Sequence, residues 1–202
     1  MMMLSVPFVL ASGSPRRRRL LERIGMDFEV DVSGVEERVP AGVAPERAVE
    51  TLALRKADAV AERHPEALTM GADTIVVLHG DVLGKPADAW EAAAMLRRLS
   101  GATHTVFTGI ALVHPPSGRS IYTFEGTRVT FAPMTAEEVA AYVATGSPMD
   151  KAGGYGIQDD RGALFVRRID GDYYNVVGLP LHRFYATMKD RFSDLLAWND
   201  PV

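Results

Sequence analysis

Several segments of the sequence carry residues that could bind an anion or move a proton, and the first lies near the amino terminus. It reads SGSPRRRRLLERIG at positions 12–25. Because the free N–H groups at a helix start attract anions, a Ser-Gly-Ser turn that opens a helix forms an anion cradle. Arginine in the first helical turn opposes the helix dipole unless an external anion offsets its charge. We therefore expect Ser12, Ser14 and Arg16 to hold such an anion, and we interpret Arg17 to Arg19 as a solvent-exposed run.

A lysine and an aspartate in apolar surroundings are the next candidates. Lys56 falls on an apolar helical stripe with Leu52 and Val60. Its ammonium either extends past that stripe to solvent or faces a ligand, and the sequence favours neither. Asp73 lies in GADTIVV at 71–77, where the pattern predicts the start of an apolar strand. A carboxylate there is costly unless it is paired, hydrated or metal-bound, so a general base, a metal ligand and a simple turn residue all stay open.

Two later segments add a lysine, glycines and an amide. GKP at 84–86 would return Lys85 toward Asp73 across a hairpin, although it lacks the Ser or Thr and the upstream glycine of a P-loop. DKAGGYGIQ at 150–158 has three glycines within four positions, which lets the backbone approach a ligand closely. Gln158 at its end supplies an amide that could read the edge of a base. A purely structural loop is the alternative.

The elements predicted around these segments form a sheet with helices packed on it, and this sheet would position the candidate residues. Apolar runs predict strands at 6–11, 103–114, 120–131 and near 163–169, and a hairpin over 70–84. Capping residues, prolines and glycines predict helices at 15–24, 45–61, 89–100, 136–145 and from 180 onward. Asp88 with Glu91, and Thr135 with Glu138, predict capping boxes. This mixture favours an α/β or α+β sheet over a purely parallel doubly wound one.

Composition and charge exclude several classes of protein. A chain of 202 residues suits one domain or two intimate lobes, and its lack of cysteine excludes disulfides, thiolate nucleophiles, iron–sulfur ligation and cysteine-based zinc sites. The net charge of −4 gives no global attraction to nucleic acid, so an anion site must be local. The uncharged opening at 1–15 is shorter than the roughly 20 apolar residues of a membrane span and lacks a preceding basic region. We therefore expect a cytoplasmic protein without membrane or nucleic-acid partners.

Taken together, these segments resemble the Maf family of nucleoside triphosphate pyrophosphatases. The matching stretches follow the family order through nearly the whole chain: LASGSPRR at 10–17, GVEE at 34–37, Lys56 in its helix, GADTIVV at 71–77, GKP at 84–86, DKAGGYGIQ at 150–158 and VVGLP at 176–180. The resemblance implies an α/β fold, a mixed elongated sheet flanked by helices with two lobes around a cleft. It also implies one Maf-like domain over residues 1–202, often assembled as a homodimer.

The resemblance further implies hydrolysis of a nucleoside triphosphate between the α and β phosphates, with Mg²⁺ or Mn²⁺ as the divalent metal. The late loop is similar to that of the branch acting on dTTP and UTP, whereas the branch acting on 7-methylguanosine triphosphate lacks this glutamine. By position, Asp73 matches the family's proton acceptor and Glu36 a carboxylate that helps hold the metal. The positions tied to substrate choice are Arg16, Thr74 and Gln158, and those lining the phosphate channel are Ser12, Ser14, Lys56 and Lys85.

Two departures from the family pattern flank the loop with Gln158. Asp159 and Asp160 follow it where a glycine is usual, and Ser147 stands where a glutamate is frequent. Both bear on the choice of substrate more than on the reaction. Two other interpretations stay open: a pyrophosphatase for modified or methylated nucleotides, and a nucleotide-sensing regulator of cell division. Asp73 discriminates between enzyme and sensor, because a sensor has little use for a carboxylate beside a polyanion.

Overall fold

The computed structural model describes residues 2–37, 42–158 and 161–198. Strands lie at β1 (Met2–Leu4), β2 (Phe8–Leu10), β3 (Glu29–Val30), β4 (Leu68–Leu78), β5 (Asp81–Leu83), β6 (Thr103–His114), β7 (Arg119–Phe131), β8 (Val166–Asp170) and β9 (Leu196–Trp198). The α-helices are α1 (Pro15–Arg23), α2 (Pro45–Ala61), α3 (Ala89–Leu99), α4 (Ala136–Val143), α5 (Tyr173–Val177) and α6 (Leu181–Arg191). Among the helices of these described ranges, none combines the length and apolarity needed to cross a membrane.

Seven strands form one mixed sheet. Their order is β3-β2-β4-β6-β7-β8, and β5 pairs with β4 beside this path. Strand β2 runs parallel to β3 and β4, while the pairs β4–β5 and β7–β8 are antiparallel. Strands β1 and β9 pair with each other in a separate two-stranded sheet. The prediction of a mixed sheet flanked by helices is therefore confirmed.

The chain divides into two compact units. Unit 1 comprises Met1–Asp73, Thr108–Glu125 and Gly178–Val202, and unit 2 comprises Thr74–Phe107 and Gly126–Val177. The divisions fall inside β4, β6 and β7, so each of these strands belongs to both units. In unit 1 the largest fully buried side chains include Leu10, Leu21, Leu52, Leu68, Phe184 and Phe192. In unit 2 they include Leu78, Leu96, Leu99, Phe131 and Tyr142.

Two glycines let helix α2 lie directly on the sheet of unit 1. A Cβ atom on Gly71 would overlap the carbonyl oxygen of Ala53, and one on Gly109 would overlap that of Val49. Ala53 itself belongs to a cluster of buried alanines on the same helix and on β6. Because no side chain separates the two backbones, α2 is close enough for Lys56 to reach groups on β4.

The predicted helix caps differ in their outcome. The Thr135–Glu138 capping box is confirmed, since the Glu138 N–H donates to Thr135 Oγ1 at 3.2 Å and the Thr135 N–H donates to Glu138 Oε2 at 2.7 Å. Asp88 caps α3 by accepting from the Glu91 N–H at 2.8 Å. The Glu91 carboxylate, however, accepts from the N–H of Ala87 rather than of Asp88. This second cap is therefore one-sided.

Other differences concern strands. The strands β1, β3 and β9 were not predicted, because each is short and pairs with a strand that is distant in sequence. The strand expected near 163–169 begins at Val166, after a 3₁₀ turn over Gly162–Phe165. The prediction that Asp73 starts its strand is wrong. Strand β4 begins at Leu68, which pairs with Phe8 of β2, and Asp73 is therefore the sixth of its 11 residues.

Candidate active site

A buried lysine joins two carboxylates within unit 1. Lys56 Nζ lies 2.7 Å from Asp73 Oδ1 and 2.6 Å from Glu37 Oε1. Lys56 and Asp73 are only 4% and 6% exposed, whereas the Glu37 side chain is 48% exposed. The possibility that Lys56 extends to solvent is thereby rejected. Its charge is neutralised inside the protein, and Glu37 forms the side of the group that solvent and solutes can reach.

The fold explains why charged groups tolerate this position. Ions removed from water destabilise a protein by several kcal/mol each unless they are paired and hydrogen-bonded. Asp73 lies two residues after Gly71, at which α2 meets β4, so the helix that carries Lys56 delivers the compensating charge. The close packing of α2 on β4 therefore fixes the geometry of this ion pair.

Arg17 is a second buried cation beside the pair. Its Nε donates to Gly178 O at 2.8 Å, and its Nη1 donates to Ser12 Oγ at 2.9 Å and to Ala72 O at 3.0 Å. Burial lowers the pKa of Arg17, and the Asp73 carboxylate acts in the opposite direction. The guanidinium nevertheless remains charged, because its ordinary pKa is far above neutral pH. We call Arg17, Glu37, Lys56 and Asp73 the charged cluster.

The burial of Arg17 corrects the interpretation of the arginine run. Arg18 and Arg19 are exposed as predicted, but Arg17 is only 8% exposed. Helical spacing contained the signal, since Leu20 and Leu21 follow Arg17 by three and four residues and are the other buried residues of α1. An arginine on the apolar face of a helix needs internal acceptors, and here backbone carbonyls and a serine provide them.

The serine turn has the geometry expected of a helix start. Ser14 occupies the N-cap position of α1 with Pro15 in the first turn, yet the Ser14 side chain makes no capping hydrogen bond. The Ser14 N–H instead donates to Ser12 Oγ at 3.3 Å. Ser12 is buried, while Ser14 and Arg16 are half-buried. Anion binding by Ser12, Ser14 and Arg16 stays a prediction.

The segment that carries Glu36 and Glu37 is tied, at Asp31, to the turn that follows helix α2. Arg63 contacts both carboxylate oxygens of Asp31 at 2.8 and 2.9 Å, and His64 Nε2 lies 3.0 Å from Asp31 Oδ2. These hydrogen bonds, that from Arg63 first, lower the pKa of Asp31 to about 2. The segment is thus held at Asp31 and again at Glu37.

On the described part of this segment, Glu37 contacts Lys56. Sequence reasoning named the neighbouring Glu36 and overlooked Glu37, the second glutamate of the GVEE motif. Both are exposed and both belong to the described part of the chain. Metal binding by Glu36 stays a prediction. The GVEE motif itself could have identified Glu37, because it contains two adjacent glutamates and either could contact a neighbouring cation.

The carboxylates suit a metal ion that arrives with its phosphate ligands. Across residues 2–37, 42–158 and 161–198, no three His, Asp or Glu side chains cluster as a ready metal site. Mg²⁺ is commonly held by only one or two carboxylates together with substrate phosphates and water. Asp73 and Glu37, which converge on one ammonium nitrogen, supply that number of carboxylates. The donor set therefore fits a divalent cation bound together with a polyphosphate.

Unit 2 carries the remaining predicted site residues. Thr74 is half-buried and Lys85 is exposed. The Gly153 N–H donates to Gly84 O at 3.0 Å, which joins the GKP segment to the glycine-rich loop. Positions 153–157 of this loop are buried, and Gln158 is half-buried at its end. Asp159 and Asp160 lie outside the described residues.

The other charged residues of the glycine-rich loop have structural contacts. Lys151 is buried, and its Nζ donates to Ser147 O at 2.6 Å and to Asp150 Oδ1 at 2.7 Å. Ser147, one of the departures from the family pattern, thus accepts a hydrogen bond through its backbone. A glutamate at this position would keep that backbone bond but not the second, 3.3 Å hydrogen bond that the Ser147 hydroxyl accepts from Lys151 Nζ.

A mixed sheet flanked by helices, with a buried ion pair between a helix and the centre of one strand, defines an α/β protein with charged groups in its interior. The chain belongs to a known family, because the family model described as Maf-like protein matches residues 7–191. The resemblance found in the motifs is therefore confirmed.

Similar proteins cover nearly the whole chain. The dTTP/UTP pyrophosphatase of Salinibacter ruber is 54% identical over 196 residues, which span 97% of this chain and 96% of the relative. That of Bacillus cytotoxicus is 53% identical over 182 residues, 90% of this chain and 94% of the relative. That of Moorella thermoacetica is 56% identical over 173 residues, 86% of this chain and 89% of the relative.

Proposed function

We propose that this protein is a nucleoside triphosphate pyrophosphatase that hydrolyses dTTP and UTP to the monophosphate and pyrophosphate. The observation that carries the chemistry is the buried Asp73–Lys56 pair with Glu37 on its exposed side. The substrates are supported by relatives that are more than half identical and bear the name dTTP/UTP pyrophosphatase.

Asp73 is the proton acceptor in the proposed reaction. A water oxygen forms a bond to the α-phosphorus, and the bond from this phosphorus to the oxygen bridging to the β-phosphate breaks with its electrons leaving on pyrophosphate. The proton that the water loses passes to the Asp73 carboxylate. Lys56 keeps that carboxylate in a fixed orientation through its 2.7 Å hydrogen bond.

The triphosphate needs positive charge that the protein as a whole does not provide. We propose that Ser12, Ser14 and Arg16 hold phosphate oxygens at the start of α1, and that Lys56 and Lys85 complete the phosphate channel. Local cations are required because the net charge of the chain is −4.

A divalent cation, Mg²⁺ or Mn²⁺, belongs to the proposed reaction. When bound, it neutralises charge that builds on the phosphates and on the leaving pyrophosphate. Asp73 and Glu37 are the carboxylates that the structure favours for holding it, and Glu36 is the neighbour predicted from the motif. In this proposal the proton that the attacking water loses is still accepted by Asp73.

Gln158, together with Arg16 and Thr74, is proposed to select the base. Thymine and uracil share a carbonyl beside an N–H group and differ only by a methyl. An amide side chain carries one acceptor and two donors, so Gln158 can match both groups of that shared edge. A site that holds this amide in one orientation accepts dTTP and UTP alike and discriminates against cytosine, whose corresponding edge has the opposite polarity.

We further propose one functional domain over residues 1–202 that acts as a homodimer in the cytoplasm, without nucleic-acid or membrane partners. The family resemblance supports the dimer, and strands β4, β6 and β7, which belong to both units, support a single domain. Light scattering after size-exclusion chromatography tests the dimer directly, because a mass of about 22.0 kDa would instead indicate a monomer.

The decisive experiment measures pyrophosphate release from dTTP, UTP, CTP, GTP, ATP and methylated analogues with Mg²⁺ or Mn²⁺. We expect strong turnover of dTTP and UTP, and a loss of about 10²- to 10⁴-fold in kcat for Asp73→Asn, the usual effect of removing a general base. Asp58→Asn is the matched control, because Asp58 is an exposed carboxylate on α2. It should retain wild-type turnover.

Two results would redirect the proposal. Equal rates on canonical and methylated nucleotides would favour a pyrophosphatase for modified nucleotides. Tight binding of nucleotide without turnover, in the wild type and in Asp73→Asn alike, would favour the nucleotide-sensing regulator.

A further inference from the structure

His104 and Tyr155 form a hydrogen-bonded pair inside unit 2. His104 Nε2 lies 2.7 Å from Tyr155 Oη, and the two residues are 1% and 6% exposed. Their rings meet edge to face at a centroid distance of 5.3 Å. Phe131 contacts both rings edge to face, at 5.1 Å and 4.8 Å. Packing and hydrogen bonding therefore fix the same pair.

This pair is the centre of a larger group of rings in unit 2. Phe165 packs against Phe131 at 6.5 Å and against Tyr142 at 5.4 Å. We call His104, Phe131, Tyr142, Tyr155 and Phe165 the aromatic cluster.

Burial keeps both members of the pair uncharged. It lowers the pKa of His104 to about 4 and raises the pKa of Tyr155. His104 Nδ1 is buried and has no hydrogen-bond partner in the described part of the chain. An imidazole with one unsatisfied nitrogen is a costly way to fill an apolar space. The contact with Tyr155 is the feature that an apolar side chain could not reproduce.

Tyr155 lies in the middle of the glycine-rich loop, and the loop is fixed on both sides of it. Gly153 donates to Gly84 O at 3.0 Å, and the Gly156 N–H donates to Tyr142 Oη at 3.2 Å. Gln158 follows only two residues after Gly156 and is the first position of this stretch that is not buried. Tyr155 is therefore one of the anchors that determine where Gln158 emerges.

We propose that His104 is a positioning residue for substrate choice, which acts through its hydrogen bond to Tyr155 to set the location of the Gln158 amide. This inference rests on the proposed function, because that function assigns Gln158 to the base. The effect should fall on KM and on base preference rather than on kcat. The reason is that the loop is proposed to contact the base, while Asp73 and Lys56 act at the phosphates.

The test compares four variants in steady-state kinetics with UTP, dTTP and CTP. Tyr155→Phe and His104→Leu each remove the hydrogen bond and fill the same space with an apolar side chain. We expect about a tenfold increase in KM for UTP and dTTP and a similar loss of preference over CTP, the factor that one buried hydrogen bond provides. The kcat for UTP should stay within about threefold of the wild-type value.

Two variants separate positioning from general stability. His104→Gln places an amide where Nε2 lies, so it should restore most of the base preference that His104→Leu loses. Phe165→Leu removes packing from the aromatic cluster but no hydrogen bond to Tyr155. It should lower Tm and leave the preference for UTP over CTP unchanged.

Two outcomes would overturn the inference. One is an unchanged base preference in both Tyr155→Phe and His104→Leu while Tm falls as in Phe165→Leu. The other is an unchanged rate of amide hydrogen exchange over residues 153–158 in Tyr155→Phe, since loss of the hydrogen bond should increase it. Hydrogen exchange reports on the loop without any substrate, so it tests the positioning even if the wild type failed to hydrolyse dTTP and UTP and the proposed function were rejected.

Discussion

Apart from the exposed Glu37, the charged cluster of unit 1 is buried to a similar degree as the aromatic cluster of unit 2, but the two clusters are stabilised in different ways. In the charged cluster, Lys56 and Asp73 neutralise each other and Arg17 donates to two backbone carbonyls and a serine. In the aromatic cluster, His104 and Tyr155 are neutral and share one hydrogen bond among packed rings. Loss of one member therefore leaves an uncompensated charge or acceptor in unit 1, and a lost neutral hydrogen bond or a packing defect in unit 2.

The difference matches the two tasks in the proposed reaction. Phosphate chemistry moves charge, and fixed ions respond to it strongly where water is excluded. The proposed choice of base depends on where the Gln158 amide is held, and neutral packed rings can define that position. We expect substitutions in the charged cluster to have the larger effects and substitutions in the aromatic cluster the smaller ones.

Arg17→Leu should have the largest effect on stability. It leaves Gly178 O, Ala72 O and Ser12 Oγ without their shared donor, and each unsatisfied buried group costs about 1–3 kcal/mol. We expect the free energy of unfolding in urea to fall by about 4 kcal/mol. Arg18→Leu is the matched control, because the exposed Arg18 only pairs with Glu22 one helical turn away. Equal costs for the two variants would contradict the role of Arg17.

Gly71→Ala should come next. The added methyl overlaps the Ala53 carbonyl and must push α2 away from β4, at a cost of about 3 kcal/mol in the free energy of unfolding. Because α2 carries Lys56, turnover should fall as well. Gly84→Ala in unit 2 is the control for stability, since a Cβ there meets nothing within 4 Å. A cost for Gly71→Ala as small as that expected for Gly84→Ala would show that α2 has room to adjust.

Acid should destabilise the aromatic cluster through His104. Burial lowers its pKa from 6.5 to about 4, so between these values the unfolded chain binds a proton that the folded protein does not. Stability is therefore fully present above about pH 6.5 and falls as the pH drops toward 4. Between about pH 7.5 and pH 5 we expect His104 to contribute a loss of about 2 kcal/mol.

Urea titrations of the wild type and of His104→Gln at the two pH values isolate this contribution. The difference between the two proteins cancels the other titrating groups. If both lost the same stability on acidification, protonation of His104 would not be coupled to unfolding.

Tyr142→Phe should have the smallest effect. It removes the hydroxyl that accepts from the Gly156 N–H and keeps the ring against Phe165, so about 1 kcal/mol should be lost. Tyr122→Phe makes the same chemical change at an exposed ring and should leave the unfolding midpoint unchanged. A loss as large as that of Arg17→Leu would indicate that the two clusters do not differ in kind.

Local sequence signals predicted much of the fold. Helix α2 was predicted with its observed bounds, Pro45–Ala61, because its apolar period and opening proline are unambiguous. The Thr135–Glu138 box is likewise local, since both partners lie within one helical turn. The strands that were missed or shifted depend on distant partners. Strand β1 exists only through its pairing with β9, and the start of β4 is set by Phe8 of β2.

The candidate site likewise contains features that local sequence predicts and features that depend on residues distant in the chain. Motifs identified Asp73, Lys56 and the glycine-rich loop because residue type and order survive without a structure. They could not show that Arg17 is buried, that Glu37 is the glutamate on Lys56, or that His104 contacts Tyr155. Those facts join residues 161, 19 and 51 positions apart.

The sequence by itself determined the family, the helices with strong caps and the types of residue available for chemistry, because these follow from local order along the chain. Only the tertiary structure decided which of those residues are paired. Pairing depends on which backbones approach closely, as at Gly71, and on which polar groups burial leaves in need of a partner. Those energies are set by neighbours distant in sequence, so no local pattern records them.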